Sequence, residues 1–340
     1  MAVAPAPAPV VDANPMPELA RARAIGTALK HALHTRIIGQ DETINGVLAA
    51  VLAGGHTLLV GPPGVAKTLL VRTLADALGW SFKRIQFTPD LLPADITGTE
   101  VLREDRASGT REWVFAPGPV FAHVLLADEI NRATPKTQSA LLEAMQERSV
   151  TAGGKTHLLP QPFLVLATEN PVEQEGTYRL PEAQLDRFLL SIDVGYPDLA
   201  QEKAIAVMPS SAAAPAIPQV AASPADMIAL QAAVANVPVA PIAVDYAVAL
   251  TRATRPQGAG ASTWAREHLR WGCGPRATQH LIAAARARAV LDGGSAVDPS
   301  HIRAMAPLVL AHRLVPTFTA AGKGLSGAHL VAQLLGTIKA

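Results

Sequence analysis

A loop rich in glycine and proline follows a short apolar run and precedes a helical pattern. The apolar run is Thr57–Val60, the loop is Gly61–Thr68 (GPPGVAKT), and the helical pattern is Leu69–Leu78. Glycines let backbone N–H groups face a polyphosphate, and the positive end of the following helix adds to the attraction. Lys67 would neutralise the β and γ oxygens of a nucleoside triphosphate, and the Thr68 hydroxyl would bind Mg²⁺. The segment therefore predicts a phosphate-binding loop.

Ala66 departs from the general pattern of such loops, which has glycine at this position. We expect the methyl group to be a mild change if the local φ is negative. Taken alone, the loop also allows a simpler interpretation, a Gly/Pro-rich turn with an incidental lysine.

Two acids end a second apolar run. Residues 123–127 (HVLLA) lead into Asp128 and Glu129. At the carboxyl edge of a parallel sheet these acids would fall beside the phosphate loop. Asp128 would then hold the Mg²⁺ shell, and Glu129 would orient and deprotonate the attacking water, because hydrolysis needs a base in line with the γ-phosphorus. A solvated acidic strand end is the common alternative, but the order and spacing of the two motifs favour a catalytic pair.

A third apolar run, residues 163–168, leads to Glu169, Asn170 and Pro171. The Asn170 amide could donate a hydrogen bond to the γ-phosphate or contact the attacking water. On these residues alone, the simpler interpretation is that Asn170 caps a turn before Pro171.

Short apolar runs separated by helical segments predict a parallel sheet covered on both faces. Two further segments predict inserted hairpins, one with a turn near 107–109 and one with a turn at Gly153-Gly154. Upstream, we expect one helix from Pro17 to about Thr35 and a second helix capped by Asp41. The five runs are 57–60, 82–87, 124–127, 163–167 and 189–194, and the two hairpins are 101–114 and 149–159.

The chain divides into three predicted regions. Residues 1–16 alternate alanine and proline and predict an extended tail. Residues 17–197 carry the motifs and the predicted sheet. Beyond Pro197 the β signal disappears, and helical patterns, one of them capped by Ser223, predict a separate all-helical domain over 198–340.

The composition restricts the class of protein. The 340 residues include 29 Lys and Arg against 28 Asp and Glu, a balance that argues against a dedicated nucleic-acid binder. The single cysteine, Cys273, excludes an internal disulfide. No apolar run reaches the roughly 18–20 residues needed to cross a bilayer. We therefore expect a cytoplasmic protein without direct membrane insertion.

In their order, these motifs resemble those of the AAA+ ATPases and, more closely, of the MoxR branch. The resemblance extends over roughly residues 20–340. It includes Ala66, because alanine at this position of the loop is similar to what this branch commonly has. It implies an α/β fold, the P-loop NTPase αβα sandwich with a five-stranded parallel sheet, followed by a C-terminal all-helical lid domain. The strings that carry the resemblance are 61–68, 87–93 (FTPDLLP), 96–98 (ITG), 118–121 (GPVF), 128–133 (DEINRA), 138–145 (QSALLEAM), 167–171 (ATENP), 182–188 (EAQLDRF) and 272–277.

The resemblance also implies roles for three polar residues. Asn170 would be a first sensor, and Arg276 would be a second sensor that reaches the γ-phosphate of its own subunit. Arg187 would be the arginine finger that completes a neighbour's site, where a guanidinium offsets charge in the transition state. Two alternatives stay open: Arg187 forms an ion pair with Glu182 or Asp186, or Arg132 is the finger instead.

The segment 37–40 (IIGQ) resembles the segment that lies against adenine, although a plain turn between helices is also possible. We expect Glu129, Asn170, Arg187 and Arg276 to act in catalysis, and Thr68 and Asp128 to hold Mg²⁺. The residues expected to contact ATP are Ile38, Gly39, Gly61, Pro62, Pro63, Gly64, Val65, Ala66, Lys67, Thr68 and Leu69.

The resemblance therefore implies Mg²⁺-dependent ATP hydrolysis by a homo-oligomeric ring, expected to be a hexamer. The expected output is chaperone-like remodelling or activation of an unidentified client protein, together with a separate partner that carries a von Willebrand factor A domain. One alternative is a slow nucleotide-dependent switch that holds a partner in the ATP state. A DNA-directed motor is a second alternative, which the balanced charge opposes.

Overall fold

The computed structural model describes residues 16–104, 111–172, 177–209, 216–258 and 261–339. The predicted tail, apart from Met16, and the predicted turn near 107–109 lie outside these residues.

Five parallel strands form the central sheet, in the order β2-β5-β8-β1-β9. This confirms the predicted five-stranded parallel sheet. Because all five strands run in one direction, their carboxyl ends share one edge of the sheet, here called the carboxyl edge, and their amino ends share the opposite amino edge. In chain order the strands are β1 Thr57–Val60, β2 Phe82–Gln86, β3 Gly98–Glu104, β4 Arg111–Pro117, β5 Val124–Asp128, β6 Ser149–Ala152, β7 Lys155–Leu158, β8 Leu164–Glu169, β9 Leu190–Asp193, β10 Leu269–Trp271 and β11 Val315–Pro316.

Alternate side chains of the central strands enter two different apolar cores, one on each face of the sheet. Leu59 and Leu126 belong to the larger core, whereas Leu58 and Leu125 belong to the smaller one. A strand that is apolar on both faces must be covered on both faces, so the sheet lies between helical layers.

Fourteen α-helices surround the sheet and build most of the C-terminal region within the described residues. The Ser223 hydroxyl caps α8 by accepting from the Asp226 amide, as expected. Asp41 does not cap α2, because Asp41 is its first helical residue and Gln40 precedes it at φ 56°. The helices are α1 Met16–His34, α2 Asp41–Ala53, α3 Lys67–Leu78, α4 Pro93–Thr97, α5 Pro135–Glu147, α6 Glu182–Leu185, α7 Leu199–Ala206, α8 Pro224–Ala235, α9 Pro241–Ala253, α10 Thr263–His268, α11 Pro275–Asp292, α12 Pro299–Leu310, α13 Phe318–Gly322 and α14 Gly327–Thr337, with 3₁₀ turns at Ile130–Arg132 and Ala311–Arg313.

In the described part of the C-terminal region the named elements are helical apart from the short antiparallel pair β10–β11, which the sequence did not predict. Strands of three and two residues are too short to leave a pattern in the sequence. The region shares the larger apolar core with α1 and α2, whose side chains pack against α11. The boundary near residue 197 therefore stays a prediction.

Two antiparallel hairpins, β3–β4 and β6–β7, project from the helical layers. Gly153 and Gly154 both have positive φ, which a two-residue turn between twisted strands favours. The hairpins contact each other through the Phe115 and His157 rings, which stack with centroids 3.9 Å apart. Within the described part of the chain, no helix combines the length and apolarity required to cross a bilayer.

Candidate active site

The phosphate loop connects the end of β1 to the first turn of α3. The Gly61 amide donates to the Glu169 carbonyl at 3.1 Å, which ties the loop to the neighbouring strand. A Cβ on Gly61 would lie 2.3 Å from the Val194 carbonyl oxygen, so the backbone can pass only as glycine. Gly64 has φ 83° and faces open space. The loop therefore presents backbone N–H groups and the positive end of α3 to one side.

Ala66 has φ 63°, in the left-handed region. The negative φ on which a mild effect of the methyl group depended is therefore not present. A residue with a Cβ costs about 1–2 kcal/mol in this conformation. The loop stores this strain at the residue immediately before Lys67.

The Lys67 ammonium folds back onto its own loop, where it donates to the carbonyl oxygens of Gly61 and Pro62. Both acceptors are neutral, so the positive charge has no contacting anion among the described residues. Partial burial lowers the pKa of Lys67, while the nearby charges of Asp128 and Glu129 act in the opposite direction. An incoming phosphate would compensate this charge and replace the two carbonyl contacts.

Asp128 ends β5 at the carboxyl edge, with its side chain nearly buried. One carboxylate oxygen accepts from the Thr168 hydroxyl at 2.6 Å. The other oxygen accepts from Arg84 at 2.7 and 3.0 Å and from the Thr68 hydroxyl at 3.3 Å. Thr68 and Asp128 are thus adjacent, as a shared Mg²⁺ shell requires.

Glu129 has φ 57° and leaves the strand through the left-handed region. Its amide donates to Thr168 Oγ1 at 2.8 Å. Its carboxylate oxygen Oε2 accepts from Gln86 Nε2 at 2.7 Å and from Arg132 Nη1 at 2.8 Å. Arg132 therefore engages the acid of its own chain in this structure.

Sequence reasoning missed Arg84 and Gln86, which are two residues apart on β2 and point to the same side of the sheet. The parallel register pairs Gln86 with Asp128, and this pairing brings both side chains to the acidic pair. The sequence offered one signal, a pair of polar residues at positions i and i+2 at the end of a short strand. This pair indicates a contact with the acidic pair only when the pairing of β2 with β5 is known.

Asn170 follows β8 and is nearly buried. Its side-chain oxygen accepts from the Val172 amide at 3.1 Å, so it caps the following turn, as the simpler interpretation held. It also lines the cavity that contains Lys67 and Glu129. The two interpretations of Asn170 are compatible.

These side chains line one cavity of about 510 Å³ at the carboxyl edge. Its donors are Lys67, Arg84 and the first turn of α3, and its acceptors include Asp128 and Glu129. The loop N–H groups and the Lys67 ammonium suit a polyphosphate, and the adjacent Thr68–Asp128 pair suits a divalent cation. The donor set therefore fits ATP and Mg²⁺. The lining residues are Pro63 to Leu69, Arg84, Gln86, Asp128, Glu129, Thr168 and Asn170.

The predicted adenine segment lies next to the phosphate loop. Gly39 and Gln40 both have positive φ, and Gln40 Nε2 donates to the Val65 carbonyl at 3.1 Å. The buried Gln40 Oε1 has no hydrogen-bond partner among the described residues. A cavity of about 660 Å³ opens beside Gln40, but Ile38 and Gly39 are not among its lining residues.

Arg187 and Arg276 lie away from the phosphate cavity that contains Lys67, at the amino edge of the sheet. The segment that carries Arg187 is fixed there because the Leu189 amide donates to the His56 carbonyl, immediately before β1. Arg187 and Arg276 line one small cavity with His56, and neither lines the phosphate cavity. The described residues give Arg187 no ion pair with Glu182 or Asp186.

The expectation that Arg276 reaches the γ-phosphate of its own subunit does not agree with this arrangement. Arg276 is in the first turn of α11, and its Nη1 lies 3.3 Å from the Asp186 carboxylate at the amino edge. Helix α11 packs against α1 and α2, and the Arg276–Asp186 pair places its start beside the segment before β9. This packing separates Arg276 from Lys67 of the same chain.

Comparison with known proteins decides the family. Residues 56–190 match the ATPase family associated with various cellular activities (AAA), and residues 261–333 match the AAA lid domain. Chaperone MoxR1 of Mycobacterium tuberculosis is 46% identical over 303 residues, which span 89% of this chain and 78% of that protein. The chain belongs to the MoxR family of AAA+ ATPases. The predicted family is thereby confirmed.

Two further comparisons agree with a MoxR-family AAA+ ATPase. Protein MoxR of Paracoccus denitrificans is 35% identical over 83% of this chain and 86% of its own length. The crystal structure of a "putative ATPase" from Cytophaga hutchinsonii superposes with a TM-score of 0.85 at 36% identity, covering 95% of this chain and 97% of that one. The family supports nucleotide binding and ATPase activity in general terms.

Proposed function

We propose that the protein hydrolyses ATP with Mg²⁺ in a homo-oligomeric ring, a hexamer by family resemblance. Each site would combine the phosphate cavity of one subunit with Arg187 and Arg276 of its neighbour. The observation that carries this proposal is that the phosphate cavity and the two arginines lie at opposite edges of the same sheet. The strands between the two edges are four to six residues long, about 13–20 Å at 3.3 Å per residue. A second copy can bring the two halves together.

Within one subunit, Lys67 and the backbone of Gly61–Thr68 would bind the phosphates. Mg²⁺, held by Thr68 and Asp128, would neutralise phosphate charge. Glu129 would orient the attacking water and accept its proton, and the Asn170 amide would contact the water or the γ-phosphate. Ile38 and Gly39 would lie against adenine.

Arginines from the neighbour would supply the remaining positive charge. A guanidinium positioned at the γ-phosphate is worth about 10³–10⁵ in rate. Arg187 is the stronger finger candidate, because Arg132 is hydrogen-bonded to Glu129 within its own chain at 2.8 Å. Arg276 would act beside Arg187 as a sensor in the neighbour's site.

The output would be remodelling or activation of a client protein in the cytoplasm, with a separate partner that carries a von Willebrand factor A domain. A relative named as a chaperone supports this output. The two hairpins offer apolar contact points, because Trp113 is 68% exposed and Leu158 is 80% exposed. Exposed apolar side chains of this size favour contact with another protein.

A second candidate function, the slow nucleotide switch, has its own support. Gln86 and Arg132 both hold Glu129 Oε2 in the single chain, so the base is restrained. A partner or neighbour that releases Glu129 would then set the rate. Turnover that stays low in the assembled protein and rises on addition of a partner would favour the switch.

Mixed assemblies test the proposal. Glu129→Gln should bind ATP without turnover while keeping its arginines, and Arg187→Ala should keep its phosphate cavity while losing the finger. When the two are mixed, about a quarter of the interfaces in a cyclic ring combine an intact cavity with an intact finger, so turnover should reappear. Glu129→Gln mixed with Lys67→Ala is the matched control, because both lesions lie in the same half. Full turnover by Arg187→Ala alone, or no recovery in verified mixed assemblies, would contradict the shared site.

A further inference from the structure

Arg313 is an almost completely buried cation in the 3₁₀ turn that follows α12, with its side chain 3% exposed. Burying an ion costs several kcal/mol, and a buried ion pair often contributes no net stability compared with apolar packing. The contacts of Arg313 therefore need an explanation other than stability.

The guanidinium makes its contacts on both sides of a boundary between the sheet and the C-terminal helices. On the sheet side, Nε donates to Asp186 Oδ1 at 2.8 Å and Nη2 donates to the Phe188 carbonyl at 2.7 Å. On the helical side, Nη1 donates to the Val309 carbonyl, and Nη2 lies against His280 Nδ1. One side chain thus ties α11 and α12 to the segment before β9.

The two sheet-side partners flank Arg187 in the sequence. Asp186 precedes it and Phe188 follows it, and Arg313 Nη2 also donates to the Asp186 carbonyl at 3.3 Å. The backbone on each side of Arg187 is therefore held by the same guanidinium.

Arg276 also donates to the Asp186 carboxylate. The Asp186 carboxylate accepts from Arg313 through Oδ1 and from Arg276 through Oδ2 at 3.3 Å. The bridge is one carboxylate between two guanidinium groups, one buried and one 51% exposed. A change in the position of Arg313 would be passed to both Arg187 and Arg276.

The imidazoles around Arg313 are neutral acceptors and do not compete for Asp186. Burial, together with the Arg313 charge, lowers the pKa of His280 to about 4 and holds the pKa of His312 well below its usual range. Among the described contacts of Arg313, Asp186 supplies the carboxylate that compensates the buried guanidinium.

We propose that Arg313 is a positioning residue for ATP hydrolysis, which holds Arg187 and Arg276 as one unit directed at the phosphate cavity of a neighbouring subunit. This inference rests on the proposed shared site. Arg313 itself does not touch the nucleotide. Because its partners come from α11, α12 and the segment before β9, movement of the C-terminal helices would displace both arginines together.

The test uses the full chain and the same mixed-assembly assay. Arg313→Gln alone should lose turnover by at least tenfold and keep its affinity for ATP within about twofold, because its own phosphate cavity is intact. Mixed with Glu129→Gln, it should recover turnover to the level of the Arg187→Ala mixture. Mixed with Arg187→Ala, it should recover nothing, because both changes damage the same half of the site.

Arg313→Lys provides the conservative comparison. A lysine can keep the pair with Asp186 but cannot also reach the Phe188 and Val309 carbonyls in the fixed fork of a guanidinium. We expect an intermediate kcat with an unchanged KM. If Arg313→Gln does not fold, Asp186→Asn takes its place in the same crosses, since the Asp186 side chain is 32% exposed.

The outcomes separate the two proposals. Failure of the Arg187→Ala and Glu129→Gln mixture would remove the shared site and this inference with it. Recovery in that mixture, with no recovery for Arg313→Gln or Asp186→Asn, would overturn the positioning role alone. Loss of ATP binding in a folded Arg313→Gln variant would also overturn it, because the defect would then lie in its own cavity.

Discussion

Arg84 donates two hydrogen bonds, of 2.7 and 3.0 Å, to the same Asp128 oxygen that accepts from the Thr68 hydroxyl at 3.3 Å. Thr68 and Asp128 are the side chains proposed to hold Mg²⁺. A guanidinium that contacts this oxygen already neutralises the carboxylate, and it would repel a divalent cation at the same place. Arg84 and Mg²⁺ would therefore compete for Asp128.

Replacing Arg84 with alanine should strengthen Mg²⁺ binding to the ATP complex. We expect the half-saturating Mg²⁺ concentration to fall by about three- to tenfold, and the tenfold limit corresponds to 1.4 kcal/mol. The measurement is ATP-analogue binding titrated with Mg²⁺. Lys83→Ala is the matched control, because Lys83 is the adjacent exposed residue of β2 and points to the other side of the sheet. Weaker nucleotide binding in Arg84→Ala would instead make Arg84 a phosphate ligand.

Gln86 restrains Glu129 through a 2.7 Å hydrogen bond. Gln86→Leu keeps a side chain of similar size and removes the donor, so the carboxylate should turn more freely toward the attacking water. We expect a higher basal kcat with little change in ATP affinity, measured by steady-state turnover and equilibrium binding. The double variant Gln86→Leu/Glu129→Gln should remain inactive. A fall in kcat would mean that Gln86 holds Glu129 in its working orientation.

The phosphate loop, the acidic pair and the parallel sheet could be predicted because their signals are local. Lys67 and Thr68 are adjacent in the sequence, and Asp128 and Glu129 directly follow an apolar strand. The edge of the sheet on which they meet follows from strand direction alone. The left-handed conformation of Ala66 could not be predicted, because φ is set by the path of the loop and not by the residue type.

The place of Arg276 could not be predicted, because it depends on how the C-terminal helices pack against the rest of the chain. Helix α11 packs against α1 and α2 through small apolar side chains. A pattern of this kind fixes which face is buried and does not fix which end of the sheet the helix approaches. The contacts of Arg313 could not be predicted for the same reason, since its partner Asp186 is 127 residues away in the sequence.

Ala66→Gly should stabilise the protein without nucleotide. Glycine adopts φ 63° without the steric cost of a Cβ, but it also makes the unfolded chain more flexible. The two effects oppose each other, and the net gain should be about 0.5–1 kcal/mol in the free energy of unfolding. Denaturant unfolding measures it. Ala75→Gly is the control with opposite sign, because Ala75 is buried within α3 and glycine costs about 1 kcal/mol in a helix. Equal destabilisation by both variants would show that Ala66 carries no strain.

His56 should make the stability depend on pH. It is partly buried at the amino edge, where Nδ1 accepts from the Val165 amide at 3.1 Å and Nε2 lies 3.3 Å from the Met145 carbonyl. This pairing suits a neutral imidazole with its proton on Nε2. Burial lowers the pKa of His56 from 6.5 to about 4, and the charge of Arg148 acts in the same direction.

The sign of the effect follows from this lowered pKa. Below pH 6.5 the unfolded chain binds a proton at His56, whereas the folded chain binds it only near pH 4. Stability should therefore fall as pH decreases from 6.5 to about 4, by about 1.4 kcal/mol per pH unit for this one group. His56→Gln should remove that part of the slope, measured by denaturant unfolding at pH 6.5 and pH 5. His31→Gln is the control, because His31 is exposed on α1. An unchanged slope in His56→Gln would mean that His56 binds its proton over the same pH range in the folded and the unfolded chain.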